Sequence, residues 1–231
     1  GGFDTFRPIT PSEITTTLRG GDFRIFWSTG YFVARGDLAR AHDDPSLKTL
    51  PPLQHVGVGG NLSLYPPAWL LLVEPLGALD FPTAWALYLW GSVALFLLGV
   101  GLAFRGAPYA MPLALGFGGF WLVLDFGQNT LGLAGLYLLT LAALPKREMG
   151  AGACLGLATV KPHLGVLIPL FLLLRRHIGA IFWALVVLGG LVALAAHRYG
   201  PDVWTDYVES LQKPVNRLLA FETVRPEAMI S

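Results

Sequence analysis

The chain has 231 residues, a formal net charge of +1, 54% hydrophobic and 13% charged residues, and a mean hydropathy of +0.57. Soluble domains carry about 25% charged residues, so an ordinary water-soluble enzyme is excluded, as is a disordered chain. A pI near 8.1 offers no basic stripe to nucleic acid, and one cysteine, Cys154, excludes an intramolecular disulfide, which leaves an all-α, multi-spanning membrane protein.

Residues 1–80 begin irregular and polar, with Pro8, Pro11, Thr15 to Thr17 and Gly20-Gly21. A helix is predicted after Asp22, where Phe23, Phe26, Trp27 and Tyr31 recur at spacings of three and four. That stripe suits a helix lying in the headgroup region. Residues 66–79 (PPAWLLLVEPLGAL) form an apolar run of only 14 residues interrupted by Glu74 and Pro75. Counting them as a span would invert the parity of every later helix, so they are read as an interfacial or re-entrant segment.

A transmembrane helix needs about 20 apolar residues, because the hydrocarbon core is about 30 Å thick and each residue rises about 1.5 Å. The uncharged stretches 81–104, 106–124, 126–144 and 178–196 meet that length. Two shorter runs, 149–160 and 164–174, are divided by Lys161-Pro162-His163. They are either two spans with snorkelling ends or one re-entrant hairpin. From Tyr199 to Ser231 the tail turns amphipathic, with Trp204, Tyr207, Val208 and Leu211 on one helical face. Three parts result: an outer-face segment over 1–80, a transmembrane bundle over 81–198 and an outer-face tail over 199–231.

Basic residues set the orientation, since short cytoplasmic loops hold the excess of Lys and Arg. Arg105, Lys146-Arg147 and Arg175-Arg176 mark every second junction. Between them lie Asp125 to Asn129, Lys161-Pro162-His163 and His197-Arg198. Five positive residues against two make the first set cytoplasmic and the second outward-facing. Gly1 is not an initiator methionine and no signal peptide is visible, so the chain is expected to be a fragment of a larger plasma-membrane protein.

Charge near a bilayer is costly enough to be a functional hypothesis by default, and the candidates share the outer face. Asp22 is either a helix N-cap or a general base held above the membrane surface, and the two roles are compatible. Tyr65-Pro66-Pro67 reads as an interfacial anchor and helix start that shapes a pocket. Gly127-Gln128-Asn129 reads as a tight turn with Asn129 as N-cap, or with Asp125 as part of a site. Lys161 and His163 flank Pro162 between runs too short to reach both surfaces. Lys161 is either a snorkelling helix end or an ammonium in a polar cavity that requires an anionic partner, for which a lipid phosphate is the candidate. The five histidines show no metal-ligand spacing, and no phosphate-binding loop, dinucleotide fingerprint or nucleophile elbow is present.

The order Asp22-Phe23 with Phe26-Trp27 and Gly30, His42-Asp43, Tyr65-Pro66-Pro67 with Pro75-Leu76, Gly127-Gln128-Asn129, Gly152 and Lys161-Pro162 resembles glycosyltransferase family 87. The resemblance covers about residues 20–200 and implies a GT-C-like helical bundle with interfacial helices in its first outer loop. It also implies a sugar donor on a polyprenyl phosphate, a lipid or glycan acceptor, and no nucleotide cofactor. Asp22 would then be the base of an inverting displacement, Lys161 would neutralise the phosphate leaving group, and Gln128 and Asn129 would bind sugar or phosphate. Tyr65 and His163 join them as substrate-binding candidates. Ala41-His42-Asp43 departs from the family's usual Leu-Tyr-Asp and leaves Asp43 without an assigned role. The reading is a hexosyltransferase, with mannose as the sugar, and the rival is a membrane transporter or flippase. Transport predicts polar groups on both faces with inverted repeats, whereas here they gather on one face.

Overall fold

The computed structural model describes residues 21–41, 46, 49–50, 65–161, 165, 167–209 and 211. Every regular element among them is a helix. In chain order these are α1 (Gly21–Val33), α2 (Leu38–Ala41), α3 (Pro67–Gly77), α4 (Phe81–Ala103), α5 (Ala110–Gly116), α6 (Gly118–Phe126), α7 (Thr130–Ala143), α8 (Glu148–Ala158), α9 (Leu167–Leu174) and α10 (Ile178–Tyr199). Helical backbone resumes over 202–209.

Two of these are long and apolar enough to cross a membrane: α4 with 23 residues and α10 with 22. At about 1.5 Å per residue each exceeds a hydrocarbon core of about 30 Å. Asp80 starts α4 by accepting the Thr83 N–H at 3.0 Å. Leu87, Trp90 and Leu98 on α4, and Phe182, Leu185 and Leu194 on α10, are all more than half exposed. A helix at the centre of a soluble protein would bury such residues.

The predicted span over 106–124 is not one helix. It breaks at Phe117, whose extended backbone (φ −71°, ψ 121°) separates α5 from α6. Gly116, Gly118 and Gly119 surround the break, and each glycine costs about 1 kcal/mol in a helix interior. The Phe117 ring lies over Gly119, where a Cβ would collide with it, and the Trp121 indole N–H donates to the Leu115 carbonyl at 2.8 Å. The stretch over 126–144 is likewise shortened to the 14 residues of α7, because the turn at Gly127 takes up its start.

Glycines set the helix alignments. On α7, a Cβ at Gly132 would touch Ser92, and one at Gly135 would meet the Leu95 backbone, so α4 and α7 run parallel. On α8, Gly152 faces Ala180 and Trp183, and Gly156 faces Ala184 and Val187, so α8 and α10 are also parallel. Small residues allow this close approach of apolar helices. Between α7 and α8 the Thr140 hydroxyl bonds the Leu136 carbonyl at 2.9 Å and the Ala151 carbonyl at 3.3 Å. Glu148 and His177 join the first turns of α8 and α10 at 2.8 Å. Arg105, Lys146, Arg147, Arg175 and Arg176 therefore collect at one end of the bundle, and the starts of α4 and α7 with the ends of α8 and α10 lie at the other.

The segment over 66–79 forms α3, whose 11 residues are about 16 Å long and too short to span. It crosses α1 at Gly30 and Gly77, where a Cβ on either glycine would fall on the other helix's backbone. Backbone contact with α3, and packing on α2, α4 and α6, bury Phe23, Phe26, Trp27, Phe32 and Val33. The aromatic stripe of α1 is thus core, not a lipid-facing surface. In the tail, Val203 is buried and Trp204 packs on the same core, while Val208 and Leu211 are exposed.

Gly30→Ala is expected to destabilise the purified protein by about 3 kcal/mol, the upper part of the overpacking range because backbone must move. Gly190→Ala, which has open space around it, should change stability by less than about 1 kcal/mol. Thermal melts in detergent read both, and equal melting of Gly30→Ala and wild type would refute the crossing.

Candidate functional site

Helix α1 begins at Gly21, so Asp22 sits inside its first turn, where a carboxylate complements the helix dipole. Gly21 lies close to the Phe126 carbonyl, which sets Asp22 beside the turn from α6 to α7. That turn depends on Gly127, which adopts φ +64°. A Cβ there would come within 2.8 Å of the Trp85 ring and 3.0 Å of Phe23.

Pro66 is extended ahead of α3 and Pro67 occupies its first turn, the position where a missing N–H costs nothing. This geometry stacks Tyr65 on Trp69 at 5.2 Å and sets it edge-on to Phe26 at 5.1 Å.

Asn129 does not cap α7 with its side chain. It is 4% exposed, and its Oδ1 accepts from Lys161 Nζ at 3.2 Å and from Tyr65 Oη at 3.5 Å. The Lys161 ammonium also lies 5.6 Å from the centre of the Tyr65 ring, within cation–π range. Residues 64 and 32 positions away thus meet on one amide oxygen. The amide nitrogen, Nδ2, is buried without a partner among the described residues.

The cluster is recessed. From the pairing of Gly156 with Val187, Lys161 falls opposite the stretch of α10 near Leu191, leaving about 12 Å of that helix beyond it. From the pairing of Gly132 with Ser92, Asn129 falls opposite Tyr88, about 10 Å below the start of α4.

Burial pushes the Asp22 carboxyl above the usual carboxylate range, and the Lys161 charge works in the opposite direction. For Lys161, burial lowers the ammonium's pKa and Asp22 raises it. Tyr65 is pushed up to about 12 by burial and then by the Asp22 charge, against the bond to Asn129. In each group desolvation is the larger effect, as expected where water is scarce.

Not every predicted residue joins. The Gln128 side-chain oxygen accepts from Thr130 Oγ1 at 3.5 Å, and Asp125 is exposed on the last turn of α6. His163, with Pro162, His42 and Asp43, lies outside the described residues. An apolar cavity of 540 Å³ borders the cluster. Trp69, Tyr88 and Asn129 line it together with leucines of α3, α4, α7 and α10. Trp69 and Tyr88 escaped sequence reasoning because aromatic residues in apolar runs carry no signal beyond packing.

The family model for glycosyltransferase family 87 matches residues 64–230, well over half of the chain. The chain belongs to glycosyltransferase family 87. It is accordingly a membrane glycosyltransferase, which sets aside the transporter reading. Among curated proteins and solved structures nothing matches it. The matched part of this family 87 glycosyltransferase contains Tyr65, Gln128, Asn129, Lys161 and His163, and Asp22 precedes it.

Removing the shared acceptor tests the cluster. Asn129→Ala strands two half-buried donors and should cost about 1–3 kcal/mol. Lys161→Met and Asn129→Ala combined should cost less than their sum by about 0.5 kcal/mol or more. Strict additivity in a detergent melting cycle would show that the two side chains do not interact.

Proposed function

We propose that this glycosyltransferase is a multi-pass plasma-membrane enzyme. It moves a hexosyl unit, mannose in our reading, from a polyprenyl phosphate to a lipid or glycan acceptor on the outer face. The arginine- and lysine-bearing end of the bundle is cytoplasmic by charge, so the recess opens outward. The observation that carries the reading is that Lys161, held by Asn129 and within electrostatic reach of Asp22, adjoins a 540 Å³ apolar cavity lined by its neighbours Val160 and Asn129. A lipid-linked sugar phosphate has the matching chemistry: an aliphatic chain for the cavity and a phosphate for the ammonium.

The reaction is an inverting displacement. Asp22 accepts the proton of the acceptor hydroxyl as its oxygen attacks the anomeric carbon. The bond from that carbon to the phosphate oxygen breaks, and its electron pair leaves with the phosphate. Lys161 offsets the negative charge that develops there, an effect strengthened by the low local dielectric. Asn129 fixes the Lys161 ammonium through Oδ1, and Tyr65 covers the same ammonium with its ring. Gln128 and His163 complete the substrate-binding set in this reading. The sugar phosphate brings its own leaving group, so these steps call for no nucleotide.

Asp22→Asn should lower transfer from polyprenyl-phosphate mannose by about 10²–10⁴-fold, the usual contribution of a general base, with normal expression. Unchanged transfer would remove Asp22 from the mechanism. Because Asp22 must be ionised to accept a proton, activity should rise with pH through its pKa, on a limb displaced above 3.8 by burial. Lys161 holds that pKa down, so Lys161→Gln should move the limb to higher pH and raise KM for the donor. A limb that stays in place would show that the lysine and the carboxylate are uncoupled.

A further inference from the structure

Five buried side-chain polar atoms lack a hydrogen-bond partner among the described residues: Ser28 Oγ, Trp69 Nε1, Tyr88 Oη, Asn129 Nδ2 and Trp204 Nε1. Three of these belong to residues lining the one 540 Å³ cavity. Trp69 and Asn129 are 4% exposed and Tyr88 is 9% exposed, so bulk water does not compensate them. An unmade buried hydrogen bond is a standing cost to the fold.

Trp69, Tyr88 and Tyr65 enclose the Phe26 ring, at 4.9, 6.2 and 5.1 Å between centroids. Tyr88 also packs on Phe23, the neighbour of Asp22, at 4.6 Å. The Gly132–Ser92 pairing puts Tyr88 level with Asn129, and both line the cavity. The three groups are alike in one respect: an indole N–H and an amide NH₂ can only donate, and a phenol donates readily. Asn129 Oδ1, the acceptor among them, already serves Lys161 and Tyr65. Three unused donors on residues that line one cavity, one of them on the amide that holds the ammonium, match an acceptor-rich anion, and a hydroxyl-bearing sugar would leave its own donors unpaired there.

We infer that Tyr88, with Trp69 and Asn129 Nδ2, donates hydrogen bonds to the phosphate oxygens of the lipid carrier, with Tyr88 as the residue that reads the headgroup. This rests on the carrier reading above. It makes Tyr88 a binding residue whose hydroxyl costs stability when the ligand is absent and is repaid when the ligand binds.

The decisive variant is Tyr88→Phe, which removes one oxygen and leaves the ring packing intact. Melting of the purified protein in detergent would be compared alone, with undecaprenyl phosphate, and with inorganic phosphate. Without ligand, Tyr88→Phe should melt at or above the wild-type temperature. Undecaprenyl phosphate should stabilise the wild type markedly and the variant less, and inorganic phosphate should do neither. In transfer assays the variant's KM for the lipid-linked donor should rise about tenfold or more, with kcat changed less. A lower melting temperature for the unliganded variant would overturn the inference, because the hydroxyl would then already have a partner. Equal stabilisation of both proteins by undecaprenyl phosphate would overturn the Tyr88 assignment alone. No stabilisation of the wild type would overturn both the assignment and the carrier reading beneath it, and an equal effect of inorganic phosphate would overturn the lipid component.

Discussion

The structure depends on a mismatch of helix lengths. Helices α4 and α10 have 23 and 22 residues, and between them α7 and α8 have 14 and 11. A helix that ends at mid-depth exposes amide or carbonyl groups that no lipid can satisfy. Two polar side chains of this protein meet where those ends fall. Asn129 stands at the start of α7, Lys161 just past the end of α8, and one amide oxygen joins them. The recess is therefore both a consequence of stopping two helices short and the reason a lysine can be held between apolar runs.

Burial and charge act against each other at this place. Desolvation raises the Asp22 pKa and lowers that of Lys161, while each group's charge favours ionisation of the other. For both, burial has the larger effect. A carboxylate with a raised pKa is a stronger base than an ordinary aspartate, which suits removal of a hydroxyl proton. A desolvated ammonium gains more from an anionic oxygen than one in water. Full neutralisation of Asp22 by Lys161 would weaken both properties. The lysine has separate contacts, on Asn129 and on the Tyr65 ring, neither of which cancels its charge.

Much of the bundle was legible because charge is scarce in it. Arg105, Lys146-Arg147 and Arg175-Arg176 delimit helices in the sequence, and the glycine-set alignments bring them to one end. The broken helix at Phe117 was not legible, since Gly116, Gly118 and Gly119 lie in an unbroken apolar run and local backbone cost has no trace in hydropathy. The aromatic residues of α1 misled for a related reason: spacing shows which residues share a face but not what covers it, and α3 covers it through the Gly30–Gly77 contact. Within the site, Asp22 and Lys161 announced themselves as charges. Asn129 was readable as a cap, but its role as shared acceptor depends on Tyr65 and Lys161 arriving from distant parts of the chain. Tyr88 and Trp69 were hidden because an unpaired donor can be recognised only once its neighbours are known.

Asp22 lies on α1, outside the main bundle, and the chain of contacts that holds it ends at Glu74. This carboxylate, in the middle of an otherwise apolar α3, is bonded by the Arg198 guanidinium and by the Tyr199 hydroxyl at 2.8 Å. Glu74 thereby docks α3 on the last turn of α10, and the Gly30–Gly77 crossing docks α1 on α3. Phe23 then reaches the α4 aromatics, with Trp85 at 5.1 Å and Phe81 at 5.7 Å. The Asp22 carboxylate is thus held within electrostatic range of Lys161 by two helix contacts, one ionic and one of backbone on backbone. The charge-assisted bond with two donors fixes direction, and the Gly30–Gly77 crossing brings the two backbones into direct contact. The acidic residue that makes 66–79 unfit to be a membrane span is the one that ties this outlying segment to the bundle.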